Sequence, residues 1–100
     1  MEKIEEISIM KDNPPYYRNF RFYGSERHEI FEGRTGNRDK SIEDGLIIFL
    51  TPENHRGNGS IHLNPKKWEW LKEVGERRWC EYYNKTPEDF RKRYGRNYID

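Results

Sequence analysis

The alternation of apolar and polar positions divides the chain into short elements separated by proline and glycine. The clearest is an unbroken apolar run over residues 46–50, bounded by a glycine and a proline, which predicts a buried strand. Ahead of it, β-favouring residues on both sides of Gly24 predict two short strands within residues 21–31, the second over 27–31. The chain should therefore contain a short β-hairpin before its first buried strand.

Three later segments carry helix-start signals in which a capping residue precedes a proline. Thr51 predicts a brief helical turn that carries His55. Asn64 begins a helix of about five turns, in which apolar residues recur three and four positions apart. Thr86 begins a third helix, which Gly95 ends. The aromatic face of the long helix consists of Trp68, Leu71, Gly75, Trp79 and Tyr82.

The remaining segments are predicted to be irregular. Residues 1–23 form an N-terminal arm interrupted by two prolines, and residues 24–100 form the domain proper. Residues 32–40 are predicted to be an exposed basic loop, after which Ser41 caps one helical turn ending at Asp44. The expected fold is α+β, with a short β-hairpin and several helices.

Composition limits the chain to one small domain, because 100 residues cannot close a second core. Hydrophobic residues make up 32% and charged residues 37%, which would indicate disorder if the charges had one sign. They are balanced, with 19 Lys and Arg against 18 Asp and Glu. Aromatic residues at 15% bury a large area each, so we expect a thin, ordered aromatic core.

Two absences in the sequence narrow the function further. No apolar run approaches the roughly 20 residues of a membrane span, and the N-terminus lacks the apolar stretch of a signal peptide. We therefore expect a soluble cytoplasmic protein without a membrane partner. Cys80 is the only cysteine, which excludes an intrachain disulfide and a zinc site made of paired thiolates.

The three histidines are the candidate chemistry of the chain. His28, His55 and His62 each fall near a strand end or beside a turn in the predicted elements. A hairpin followed by a helix can bring them together as a neutral imidazole set that suits a divalent metal. The alternative is three surface histidines without a function, which spacing alone would favour.

Several short motifs, in this order and spacing, resemble small phage and prophage proteins of the HNH endonuclease superfamily. They read ERHEIFEG at residues 26–33, DGLIIFLTPENH at 44–55 and SIH at 60–62, and the tail over 90–99 is also similar. The resemblance covers about residue 24 to the C-terminus. It implies a ββα-metal core with C-terminal helices, in which a hairpin and a helix hold one divalent cation against a scissile phosphodiester.

The resemblance also assigns a role to each site residue. His28, His55 and His62 match metal ligands, and the cofactor it implies is one Mg²⁺, Mn²⁺ or Zn²⁺ ion. Glu29 stands where the family normally has a histidine acting as general base. Either Glu29 is the base, or His28 takes that role by a register shift, or the protein is inactive. Because adjacent side chains of a strand point to opposite faces, His28 and Glu29 can share a site only where the strand bends or ends.

DNA is the expected partner of such a site. The basic residues expected to contact its phosphates are Arg34, Arg38, Lys40, Arg56, Lys66 and Lys67. The alternative is an ordinary solvated surface, and a net charge of +1 argues against strong non-specific DNA binding. A basic cluster at residues 91–96 is more typical of a solvated helix face.

Three functions are consistent with this sequence. The first is a metal-dependent HNH-type endonuclease that nicks or cuts DNA. The second is a catalytically inactive descendant that binds nucleic acid or another phage or host protein, as an accessory protein or an inhibitor. The third is a domain in which a metal has a purely structural role, so that chelation would unfold it.

Overall fold

A computed structural model describes residues 6–33, 36–57 and 59–99 of the chain. These residues contain six elements of secondary structure. The elements, in chain order, are β1 (Glu26–Glu29), α1 (Asn37–Asp44), β2 (Ile47–Leu50), α2 (Pro52–Arg56), α3 (Pro65–Tyr83) and α4 (Pro87–Tyr94). The predicted α+β class is confirmed, and the described part contains one two-stranded antiparallel hairpin, made by β1 and β2.

The hairpin pairs β1 with β2 in antiparallel register, with Glu26 opposite Leu50 and His28 opposite Ile48. The prediction of a strand before residue 26 was wrong. Residues 21–25 form a turn in which the Ser25 hydroxyl donates to the carbonyl of Phe22 at 2.6 Å. β1 instead forms its backbone hydrogen bonds with β2, which is distant in sequence, and not with residues 21–25. The predicted strand over 27–31 is thereby confirmed in part, as β1.

The first helix begins earlier than its sequence signal. α1 starts at Asn37 after Gly36, which has a positive φ of 81°. The prediction that Ser41 caps a single turn was wrong, because its hydroxyl lies within the helix and accepts from the backbone N–H of Phe31 at 2.9 Å. Residues 37–40 are therefore helical rather than a loop. Their sequence, NRDK, has no apolar stripe to reveal the helix.

The three helices that begin with a capping residue and proline are confirmed. The side chains of Thr51, Asn64 and Thr86 each accept from the backbone N–H three residues later. On α3 the predicted aromatic face is only partly correct. Its central residues Leu71, Gly75 and Trp79 are buried, whereas Tyr82 is 54% exposed.

The core lies between the hairpin and helices α3 and α4, and aromatic rings fill much of it. Phe31, Phe90 and Tyr94 pack with ring centroids 4.5 to 5.2 Å apart. Asp44, at the end of α1, accepts from Trp79 Nε1 at 2.9 Å and from the Tyr94 hydroxyl at 2.7 Å. This carboxylate thus joins α1 to both C-terminal helices.

The N-terminal arm packs against the same core. Ile9, Met10 and Tyr17 are buried in it. Arg18 pairs with Phe49 through two backbone hydrogen bonds of 3.0 and 2.8 Å, so the arm covers the edge of β2 that faces away from β1. Across the described ranges, no helix has the length and apolar character that crossing a bilayer requires.

Gly45 allows a tight contact between the arm and the end of α1. It has a φ of 80°, and a Cβ built there would lie 2.9 Å from the carbonyl oxygen of Ile7. We expect Gly45→Ala to lower the free energy of unfolding by about 3 kcal/mol, through left-handed strain and this collision. Gly95→Ala is the control, because Gly95 has a φ of 94° but open space around it, and should cost only about 1 kcal/mol. Urea unfolding of both variants measures the difference, and equal losses would contradict the close contact.

Candidate metal centre

Three imidazoles converge at one end of the hairpin. His28 comes from β1, His55 from α2, and His62 from the loop before α3. Each offers one ring nitrogen such that the three nitrogens lie within 4.8 Å of one another. The Nε2 atoms of His55 and His62 are 3.0 Å apart. The group could therefore hold one metal ion.

Local structure explains why these residues meet. Side chains alternate along β1, so Glu26 and His28 lie on the same face of the sheet. Their partners on β2, Leu50 and Ile48, belong to the core. α2 begins directly after β2, which brings His55 beside the start of β1. The backbone N–H of Ile61 then donates to the carbonyl of Asn54 at 3.0 Å, and this bond returns the following loop, with His62, toward α2.

Trp68, on the first turns of α3, forms a wall of the site. Its ring meets those of His28 and His62 edge to face, with both centroid distances at 5.0 Å. The indole Nε1 donates to the carbonyl of Ile30 at 2.9 Å, which fixes the ring against β1. The sequence assigned Trp68 to the core, and the structure adds this contact with two of the three imidazoles.

His28 is the most buried of the three imidazoles, at 2% exposure. Burial, followed by the nearby His55 and His62, lowers the pKa of His28 to about 3. Its ring is therefore neutral at pH 7, as a metal ligand must be. Among the described residues its Nε2 has no hydrogen-bond partner, although that atom is buried. Burial, followed by the nearby His55, also lowers the pKa of His62.

Glu26 orients His55 from behind. His55 Nδ1 donates to the Glu26 carboxylate at 2.8 Å, and Arg56 also donates to that carboxylate. These hydrogen bonds, that of His55 first, lower the pKa of Glu26. Because the carboxylate fixes the proton on Nδ1, the lone pair of Nε2 is left for a metal, an arrangement common in metalloproteins. Sequence reasoning missed Glu26, although its position two residues before His28 places both on one face of the strand.

The donor set suits a transition metal. Imidazole nitrogens bind Zn²⁺ and similar ions well, whereas Mg²⁺ prefers oxygen ligands and keeps bound waters. Three histidines leave a fourth position of a tetrahedral ion for water or substrate. The residues present thus fit a divalent ion with an open coordination position.

Glu29, the candidate general base, has its carboxylate engaged elsewhere. Arg38 Nε donates to one oxygen at 2.6 Å, and Arg27 Nε donates to the other at 3.0 Å. Arg27 and Glu29 are two apart on β1 and share a face, as strand alternation requires. His28 lies on the opposite face of the strand, with Glu26.

The predicted DNA-contacting residues lie in several places. Arg56 is beside the imidazoles, bound to Glu26, and Arg38 is bound to Glu29. Lys40 donates to the carbonyl of Arg93 at 2.8 Å. Lys66 and Lys67 lie on the first turn of α3, close to the loop that carries His62. Arg34 lies outside the described residues.

Comparisons with protein-family models, with curated proteins and with solved structures found no match to this chain.

Removing Glu26 should weaken metal binding without removing a ligand. In Glu26→Ala the orientation of His55 is lost, and we expect the affinity for Zn²⁺ to fall by about 10- to 100-fold. Glu53→Ala, in which an exposed carboxylate of α2 is removed, is the matched control and should bind Zn²⁺ as the wild type does. Calorimetric titration gives both constants, and an unchanged affinity in Glu26→Ala would contradict its role.

The buried imidazole should cost the metal-free protein stability. Replacing His28 with leucine removes an unpartnered polar atom, so we expect the free energy of unfolding in EDTA to rise by about 1 kcal/mol. The same variant should lose the increase in melting temperature that Zn²⁺ gives the wild type. His62→Leu is the control: His62 is exposed, so the variant should lose the zinc effect without gaining stability. A large loss of stability in His28→Leu would contradict this account.

Proposed function

We propose that this chain is a metal-dependent HNH-type endonuclease that hydrolyses phosphodiester bonds in DNA, as its resemblance to small phage and prophage proteins implies. The observation that carries the proposal is the convergence of His28, His55 and His62 from three separate elements. A buried polar atom without a partner is costly, and proteins tolerate such costs mainly at functional sites. Scattered surface histidines would share neither property.

Phosphodiester hydrolysis needs positive charge against the phosphate and an oriented water on the side opposite the leaving oxygen. A divalent cation held by the three imidazoles would supply that charge. Because all three ligands are neutral, none of them offsets the charge of the ion. Glu26 would keep His55 Nε2 directed at the ion, and Arg56, which is bound to Glu26 beside the imidazoles, would approach a neighbouring phosphate oxygen.

The attacking water must also lose a proton, and Glu29 is the candidate that would accept it. Its carboxylate is bound to Arg27 and Arg38. The side chain of Arg38 is 67% exposed, so that bond can exchange for one to a DNA phosphate when substrate binds. Because β1 ends at Glu29, the released side chain would also have to turn toward the imidazoles before one of its oxygens could accept the proton. His28 is the other candidate base, if the ion binds through His55 and His62 alone.

The second candidate function is a catalytically inactive protein that binds nucleic acid or another protein through the same fold. The observation that favours it is the placement of Glu29 on the face of β1 opposite His28, with both carboxylate oxygens bound by arginine. In that case the imidazoles would bind a metal without cleaving DNA.

Supercoiled plasmid distinguishes the two functions. Mn²⁺, Mg²⁺ and Zn²⁺ are each tested: we expect nicking with Mn²⁺ or Zn²⁺, which suit imidazole ligands better than Mg²⁺ does, and none in EDTA. His55→Ala should lower the nicking rate by at least about 100-fold. The loss should exceed that in Glu26→Ala, because His55→Ala removes a metal ligand, whereas Glu26→Ala removes only the carboxylate that orients this ligand. Asn54→Ala, which changes the exposed neighbour on α2, is the matched control and should nick at the wild-type rate. Glu29→Gln should lower the rate by about 10²- to 10⁴-fold if Glu29 is the base.

Folded protein that nicks plasmid with none of these metals would rule out the endonuclease. Metal binding without nicking would then support the inactive alternative. Nicking that persists in His55→Ala would mean that the activity does not come from the three imidazoles.

A further inference from the structure

A second concave surface lies beside the metal centre, between the N-terminal arm and the first turns of α3. It is a cleft of about 550 Å³, within the range of small-ligand sites. The residues that line it are Asn13, Tyr16, Asn64, Lys66, Lys67 and Trp70. Its lining thus combines aromatic rings, amides and two cations, and includes no acidic residue.

Trp70 is the unusual residue of this cleft. It lies off the buried face of α3 and is 41% exposed, whereas Trp79 on that face is 3% exposed. Its ring stands beside Tyr16, with centroids 5.9 Å apart and planes inclined by 52°. The indole therefore has lateral support from the arm, and it is one of the residues that line the cleft. Such a supported, exposed ring can stack a flat aromatic ligand at little entropic cost.

The two lysines give the cleft its charge. Lys67 is held in place, because its Nζ donates to the carbonyl of Gly59 at 2.7 Å and lies 4.8 Å from the centroid of the Tyr16 ring. Lys66 is exposed and forms no ion pair with any residue that the structure describes. Many arginines of this chain are bound to carboxylates, whereas the charge of Lys66 is available to a ligand beside the exposed ring of Trp70. An anion attached to an aromatic ring complements both.

The cleft is continuous with the loop that carries His62. Asn64 follows His62 by two residues, so their Cα atoms are at most about 7 Å apart. Lys67 is hydrogen-bonded to Gly59 in the same loop. A DNA strand with one phosphate at the imidazoles would therefore pass the cleft with a neighbouring nucleotide.

We propose that the cleft binds an unpaired nucleotide of DNA, with its base stacked on Trp70 and its phosphate at Lys66. This inference rests on the proposed function for its choice of DNA as the ligand. A base inside a duplex has its faces covered by its neighbours, so stacking on an indole requires a single-stranded or extruded base. The substrate class that follows is single-stranded DNA, or duplex DNA with an unpaired base near the cleavage position.

The test is binding of a fluorescein-labelled oligothymidine in EDTA, followed by anisotropy and by quenching of tryptophan fluorescence. We expect Trp70→Leu to weaken binding by about 5- to 100-fold, and Trp70→Tyr to stay within about threefold of the wild type. Lys66→Gln should reduce the slope of log affinity against log salt by about 0.7, the value for one phosphate on a single strand. A blunt duplex of the same length should bind more weakly than the single strand.

Matched controls separate stacking from general effects. Tyr82→Leu removes another exposed ring of α3, and Lys11→Gln removes a lysine that pairs with Glu81; both should bind as the wild type does. Each variant is compared at equal folded fraction, measured by circular dichroism. Equal binding by Trp70→Leu and the wild type would overturn the proposal, as would a preference for the blunt duplex. Because the assay excludes metal, it reports on the cleft even if plasmid nicking fails.

Discussion

The pairing of β1 with β2 is the constraint on which the rest of the structure depends. β2 is buried at every position, and its register with β1 sets His28 opposite Ile48 and Glu26 opposite Leu50. α2 begins two residues after Leu50, the residue opposite Glu26. The Glu26 carboxylate on β1 therefore lies near the start of α2, where it can orient His55. A shift of one residue would exchange the two faces of β1 and turn the imidazole of His28 away from the core. One register thus fixes both a ligand and the support of another ligand.

The sequence predicted those parts of the fold that local chemistry determines. α2, α3 and α4 begin where a capping side chain precedes proline, and β2 is an apolar run between breakers. The first half of α1 was missed because its polar sequence has no apolar stripe, and the helix is held by contacts such as that of Ser41 with the backbone of Phe31. The partner of β1 was also missed, since pairing between residues such as Glu26 and Leu50, which are far apart in the sequence, leaves no local signal.

In the candidate site too, some features could be predicted from the sequence and others depend on contacts between distant residues. Residue type and position left the three imidazoles as one of two alternatives, and the resemblance assigned them as metal ligands; the structure brings them together as a group that could hold a metal ion. The role of Glu26 depends on a contact between residues 29 positions apart, so only the fold reveals it. Likewise, the exposure of Trp70 and its support by Tyr16 depend on where the arm packs. The chemical type of each site residue could be taken from the sequence, whereas the contacts that orient His55 and Trp70 could not.

The arm has a consequence for the open edges of this small sheet. A two-stranded sheet has two open edges, and an open edge can add a strand from another molecule. Arg18 occupies the outer edge at Phe49 with a pair of backbone hydrogen bonds, and the Ser8 hydroxyl donates to the carbonyl of Ile47 at 2.5 Å. The segment before β1 therefore satisfies backbone N–H and carbonyl groups along this edge of β2, which leaves them unavailable for strand addition and so disfavours aggregation through that edge.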